Sequence, residues 1–167
     1  RVLFRSPYKG FDLLIEACLA LWREGADFDL AVAGKPFMDI APLLDRVRAA
    51  GFGERLITDL GFLTESRLDA HMARADIIAF PYRDIDSSGA FLSALHHGKA
   101  MVATRVGMFA ALDPDQVALV PPENADALAA ALGTLIAGRA ERDRLGKGAL
   151  AMRAAMGTWD EAAAATR

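Results

Sequence analysis

Asp76-Ile77-Ile78-Ala79-Phe80, closed by Pro81, is the stretch whose reading decides the fold. After Asp76 it is apolar throughout, with no alternation between two faces. That pattern is expected of a central parallel strand buried on both sides. Such a strand needs helices above and below it, and the flanking residues supply them. Upstream, Thr64 is a natural N-cap, since its hydroxyl can accept a bond from a free amide of a helix running to about Arg74. Downstream, Ser87 to His97 reads as a helix stopped by Gly98, and Ala100 to Thr104 as the next strand.

The same alternation continues outward. Val2 to Phe4 is a candidate first strand. Phe11 to Arg23 carries Phe11, Leu14, Ile15, Cys18, Leu21 and Trp22 at helical spacing and ends near Gly25. Phe28 to Gly34 reads as a second strand, Ile40 to Ala50 as a helix closed by Gly51, and Arg55 to Leu60 as a third strand. Beyond Thr104 come a strand at Val117 to Val120 and a helix capped by Asn124 that runs to about Ala137. A further helix follows over Ala140 to Met156, then a short one over Trp159 to Thr166. About six strands alternating with helices predict an α/β fold: a doubly wound parallel sheet of order 3-2-1-4-5-6, helices on both faces. Residues 1–167 read as one domain without repeats or linkers, and the abrupt Arg1-Val2-Leu3-Phe4 start suggests a fragment.

Composition excludes several classes. Hydrophobic residues make up 53% of the 167 and charged residues 25%, so neither disorder nor a fibrous protein fits. A net charge of −3 argues against a nucleic-acid partner, which favours a basic face. A small phosphorylated ligand needs only a few local cations and stays open. No apolar run approaches the roughly 20 residues of a membrane-spanning helix, and no signal peptide opens the chain. The single cysteine, Cys18, cannot form an internal disulfide, which suits a reducing cytoplasm. Its helical apolar surroundings predict an inert core thiol. His96 and His97 are adjacent and point apart, a poor metal pair. Asp84, Ile85 and Asp86 lack the glycine and distal glutamate of a calcium loop. No metal site is expected.

In a sheet of this order, ligands bind beyond the carboxyl ends of the strands where the order reverses, here between the first and fourth. Arg5-Ser6-Pro7-Tyr8-Lys9-Gly10 follows the first strand, and Pro81-Tyr82-Arg83-Asp84-Ile85-Asp86-Ser87-Ser88-Gly89 follows the fourth. The two loops are expected to face each other. The free amides of a helix start at Ser87, Ser88 and Gly89 suit an anion, and Arg5 and Lys9 would bring charge from the opposite lip. Equally, Ser87 or Ser88 reads as a plain N-cap, with Arg5 and Lys9 solvated. A dehydrogenase-type site is disfavoured, because no G-x-G-x-x-G follows the first strand.

Ser88-Gly89-Ala90-Phe91-Leu92-Ser93-Ala94-Leu95-His96-His97-Gly98-Lys99-Ala100-Met101-Val102-Ala103-Thr104-Arg105-Val106-Gly107 resembles the donor-site signature of glycosyltransferase family four, a GT-B group. Lys9-Gly10-Phe11-Asp12-Leu13-Leu14-Ile15-Glu16-Ala17 is similar to that family's "KG-x-x-x-L-L-x-A" opening. Leu30 to Gly34, Gly61-Phe62-Leu63 and Ala75 to Tyr82 match further blocks in the right order. The resemblance implies the donor-binding half of a retaining transferase, one that moves a hexose from a UDP- or GDP-type sugar without an obligatory metal or other cofactor. A preceding acceptor domain would complete the enzyme. It further implies that Arg5 and Lys9 neutralise the diphosphate and that the Ser88 and Gly89 amides hold it. Gly34, Lys35, Gly61, Phe62 and Leu63 would border the base, although Phe62 reads equally as a core residue.

Two positions depart from the family pattern. Its paired glutamates, spaced E-x7-E, fall on Ile85 and Ser93. Asp84 or Asp86 could supply a carboxylate near the first position. Ser93 offers one hydroxyl where a carboxylate would take two from the ribose. The lost carboxylates leave a non-catalytic nucleotide-sugar-binding or scaffold domain as the second reading.

Overall fold

The computed structural model describes residues 9–36 and 38–156. Among them, β1 (Leu30–Gly34) pairs in parallel with β2 (Leu56–Leu60). A second parallel run follows the order β3 (Ile77–Phe80), β4 (Ala100–Thr104), β5 (Ala118–Val120). These are the neighbours that the 3-2-1-4-5-6 order requires. Five strands are described. The expected first strand, Val2 to Phe4, lies outside the described residues, as does the helix expected over Trp159 to Thr166.

Strand alternation shows how the layers form. In β4, Ala100 and Val102 join a core with α1 (Phe11–Arg23), α2 (Ala41–Ala49) and α5 (Ala125–Ala137). Met101 and Ala103 point the other way, into a core with α3 (Glu65–Arg74), α4 (Gly89–Leu95) and α6 (Arg139–Ala155). Side chains two apart share a face, so one strand feeds both layers. The doubly wound α/β class is therefore the fold observed. The first layer is closed by Trp22, which stacks on Phe28 and Phe52 and donates its indole N–H to the Phe28 carbonyl at 3.0 Å. The second centres on Phe80, Tyr82, Phe91 and Phe109, with ring centroids 5.0–5.9 Å apart.

Burial corrects one expectation. All of β4 is buried, whereas Ile77, Ile78 and Ala79 of β3 are only half-buried. Among the described strands, β4 is the one with hydrogen-bonded neighbours on both sides.

Most helices keep their expected limits, and the caps explain why. The Thr64 hydroxyl accepts from the Arg67 amide at 3.3 Å and the Asn124 side chain from the Ala127 amide at 2.8 Å. Helix α4 is shorter than expected at both ends. Ser88 is extended and caps it, while the His96 and His97 amides bond only three residues back, ending the helix at Leu95 before Gly98 turns the chain at φ +56°. A 3-10 turn at Gly107–Ala111 was not expected, and it buries Phe109 completely.

Candidate functional site

Two loops meet at the carboxyl edge of the sheet, and one glycine makes the meeting possible. Gly10 caps α1 in the left-handed region, at φ +62°. A Cβ there would lie 1.8 Å from the Pro81 carbonyl oxygen, so the chain entering α1 rests directly on the end of β3. This is the approach expected between the loops that end in Gly10 and begin at Pro81. The Thr104 hydroxyl, at the end of β4, donates to the Tyr82 carbonyl and fixes the second loop from behind. On its other side, the Ile85 carbonyl would lie 1.7 Å from a Cβ at Gly107 (φ +45°), so a turn follows β4 as closely as the chain allows.

Lys9 is drawn into this junction. It is only 6% exposed, and its Nζ lies 5.2 Å from the centre of the buried Tyr82 ring. The negative face of an aromatic ring attracts a cation at that range. Arg5 lies outside the described residues.

Ser88 is buried, and its hydroxyl accepts from the Phe91 amide at 3.2 Å. The side chain is thus an N-cap. The amides of the first turn ahead of Phe91 keep the orphan character of any helix start. Gly89 and Ser87 are exposed beside it, and so is Asp86. Ile85 is buried in the aromatic core, between exposed Asp84 and Asp86.

The loops after β1 and β2 also touch. The Gly61 amide donates to the Gly34 carbonyl at 3.1 Å, and the Lys35 Nζ lies 4.1 Å from the centre of the Phe62 ring. Phe62 is 85% exposed, so it is not a core residue. Leu63 is half-buried next to it.

Ser93 is half-buried on α4 and faces α3, where Glu65, Ser66, Leu68, Asp69 and Met72 complete an open cleft of about 400 Å³. It therefore borders a cleft and not the core. His97 bonds to Asp69 at 2.8 Å, and Arg153 donates to His96 at 3.1 Å, so the adjacent histidines serve different partners. Among the described residues no group of three or more His, Cys, Asp or Glu side chains forms a metal cage, and no helix is long and apolar enough to cross a membrane.

The sequence reading missed an ion-pair network beside Lys9. Arg83 donates to both Asp12 oxygens, at 2.8 and 2.7 Å, and through Nε to Glu123. The Arg83 hydrogen bond holds the Asp12 carboxyl below its ordinary pKa. The same bond, with help from Glu123, raises that of Arg83. Asp12 and Arg83 lie 71 residues apart, and no local pattern signals such a pair.

Comparisons with known proteins fall on this geometry. The C-terminal domain of a glycosyl transferase group 1 family protein from Francisella tularensis superposes with a TM-score of 0.77 at 22% identity, over 90% of this chain and 80% of that one. Sucrose-phosphate synthase from Thermosynechococcus elongatus gives 0.73 at 22% identity, over 93% and 40%. Anabaena HepE, solved in complex with UDP-glucose, gives 0.76 at 19% identity, over 90% and 42%. The chain thus spans about two-fifths of the latter two. No curated protein matches it. The family model for glycosyl transferases group 1 matches residues 2–138, so the chain belongs to that family, with the Rossmann-like fold of the C-terminal half of a GT-B enzyme.

Proposed function

We propose that this chain is the nucleotide-sugar-binding domain of a retaining hexosyltransferase, taking a UDP- or GDP-type donor. The observation that carries the reading is the junction of Gly10 with Pro81, which sets buried Lys9 over Tyr82, in the loop that leads on to α4. In this reading, Lys9 faces the diphosphate, with Arg5 as a second cation from the same loop. The free amides at Ser88 and Gly89 hold the phosphates from across the crevice, next to Asp86 and Ser87. As the sugar–phosphate bond breaks, negative charge grows on the diphosphate, and fixed cations and amides stabilise that change most. No metal or other cofactor is required. Gly34, Lys35, Gly61, Phe62 and Leu63 border the base. Phe62, exposed beside Lys35, offers it a flat apolar face. The Ser93 cleft takes the ribose, with one hydroxyl in place of a carboxylate.

The neighbours of which this chain covers two-fifths support a further part of the reading. An acceptor domain supplies the rest of the active site, so this chain alone binds donor without transferring sugar. Titration of the purified chain with UDP-glucose, GDP-mannose, UDP and GDP tests it. Saturable binding of at least one, with no glycosylated product, is expected. Absence of binding to all four, or turnover by this chain alone, would contradict it.

The loss of both family carboxylates, Ile85 and Ser93, favours one other reading: a non-catalytic sensor on the same fold. It predicts donor binding with no transfer even after an acceptor domain is supplied.

A further inference from the structure

Arg83 is placed as a strut. Its guanidinium joins Asp12, in the first turn of α1, to Glu123, in the turn that precedes α5. It emerges from the loop after β3, directly following Tyr82, the residue whose ring underlies Lys9. The fork to Asp12 is bidentate, which fixes direction as well as distance. Glu123 holds the third side from a strained position. It is the only non-glycine with positive φ among the described residues, at +54°. The turn before α5 carries that left-handed φ, and from it the Glu123 carboxylate reaches Arg83.

Asp12 lies three residues after Lys9, and Arg83 one residue after Tyr82. Clamping Asp12 to Arg83 therefore sets the register between the two loops, and with it the place of Lys9 over Tyr82. Lys9 is 6% exposed, so a shift of either loop moves the surroundings that hold its ammonium.

We propose that Arg83 is a positioning residue for phosphate capture, acting through Asp12 to hold the Lys9 ammonium at the crevice. The inference rests on the proposed donor site. Arg83 acts at one remove: its fork is turned toward Asp12 and Glu123, and Lys9 meets the phosphate.

A double-mutant cycle tests it. The probes are UDP and GDP, using whichever the unmodified chain binds, each paired with its nucleoside. Asp12→Asn keeps the shape and removes the carboxylate charge that the fork grips. Arg83→Met removes the fork itself. Each is expected to weaken diphosphate binding about tenfold, the scale of coupled neighbours, and nucleoside binding less than about twofold. In a Lys9→Ala background, neither substitution should cost diphosphate binding further. A merely structural role would lower both ligands' affinity equally, with or without Lys9, and that result would overturn the proposal. If Arg83→Met does not fold, Asp12→Asn decides alone. Lack of diphosphate binding by the unmodified chain would contradict the donor-site reading itself. Binding that depends on Lys9 but ignores Asp12 and Arg83 would overturn only the positioning role.

Discussion

Buried polar and ionisable side chains carry most of the information at the residue scale. Cys18 is 1% exposed inside α1, and burial pushes its thiol up to about 12. Since the thiolate is the nucleophile, the folded protein should resist a thiol reagent at pH 8 and react at once in denaturant. Fast labelling of the native chain would contradict the packing of α1. Ser93 marks where the family resemblance is weakest. It borders a cleft, so Ser93→Glu should fold, with a thermal midpoint close to the parent's. If the ribose lies there, the variant should favour a ribonucleotide over its deoxy analogue by up to about 1 kcal/mol, one net hydrogen bond. Glu65 and Asp69 share the cleft, and their like charge trims that gain. A folded variant with unchanged preference would remove the ribose from this cleft. The sequence showed Cys18 as core and Lys9 and Ser88 as candidates, because each stands in a readable local pattern. It left Phe62 undecided, since loop aromatics carry no periodicity. Arg83, Asp12 and Glu123 were invisible, because only tertiary structure joins them.

At the scale of elements, the loop junctions are set by glycines that no other residue can replace. Gly10→Ala must enter the left-handed region, at roughly 1–2 kcal/mol, and also displace the Pro81 carbonyl. Gly25→Ala meets the first cost only, because nothing lies within 4 Å of its added methyl. Gly10→Ala should therefore lower the thermal midpoint clearly more than Gly25→Ala. Equal shifts would mean that the loops do not meet as described. The Asp12–Arg83 pair predicts a pH dependence. The folded Asp12 carboxyl titrates below its ordinary 3.8, so the pair's stabilisation is present above about pH 4 and is lost as pH falls through the folded value. The stability gap between parent and Asp12→Asn should then be largest near neutrality and shrink in acid. A gap that is constant down to pH 2 would show that the pair contributes nothing by its charge. Helices α1, α3 and α5 were legible to within a residue or so, α1 from its apolar spacing between Gly10 and Gly25, α3 and α5 from the Thr64 and Asn124 caps as well. Helix α4 was not: the Ser88 hydroxyl caps it one residue later than the polar run suggests, and its last turn tightens at His96 and His97, short of Gly98. The 3-10 turn at Gly107–Ala111 is too short for periodicity to show.

Over the whole molecule, strand order does the positioning. Parallel strands fed from alternate faces gather their carboxyl ends, and the loops leaving them, along one edge. The alternation of β-rich and helical runs revealed this class directly, and the ordered motif blocks revealed the family. What the motifs did not reveal is how the lips of the crevice are locked together, because packing between distant loops leaves no mark in either. The central claim is that phosphate binds at Lys9, where those lips meet. The most direct test is calorimetric titration of the chain and its Lys9→Ala variant with UDP or GDP and with the matching nucleoside. Loss of one charge-assisted hydrogen bond predicts that the variant binds the diphosphate more weakly by about 1.5–3 kcal/mol and the nucleoside nearly as before. Equal losses for both ligands, or none for either, would contradict the placement of phosphate at Lys9.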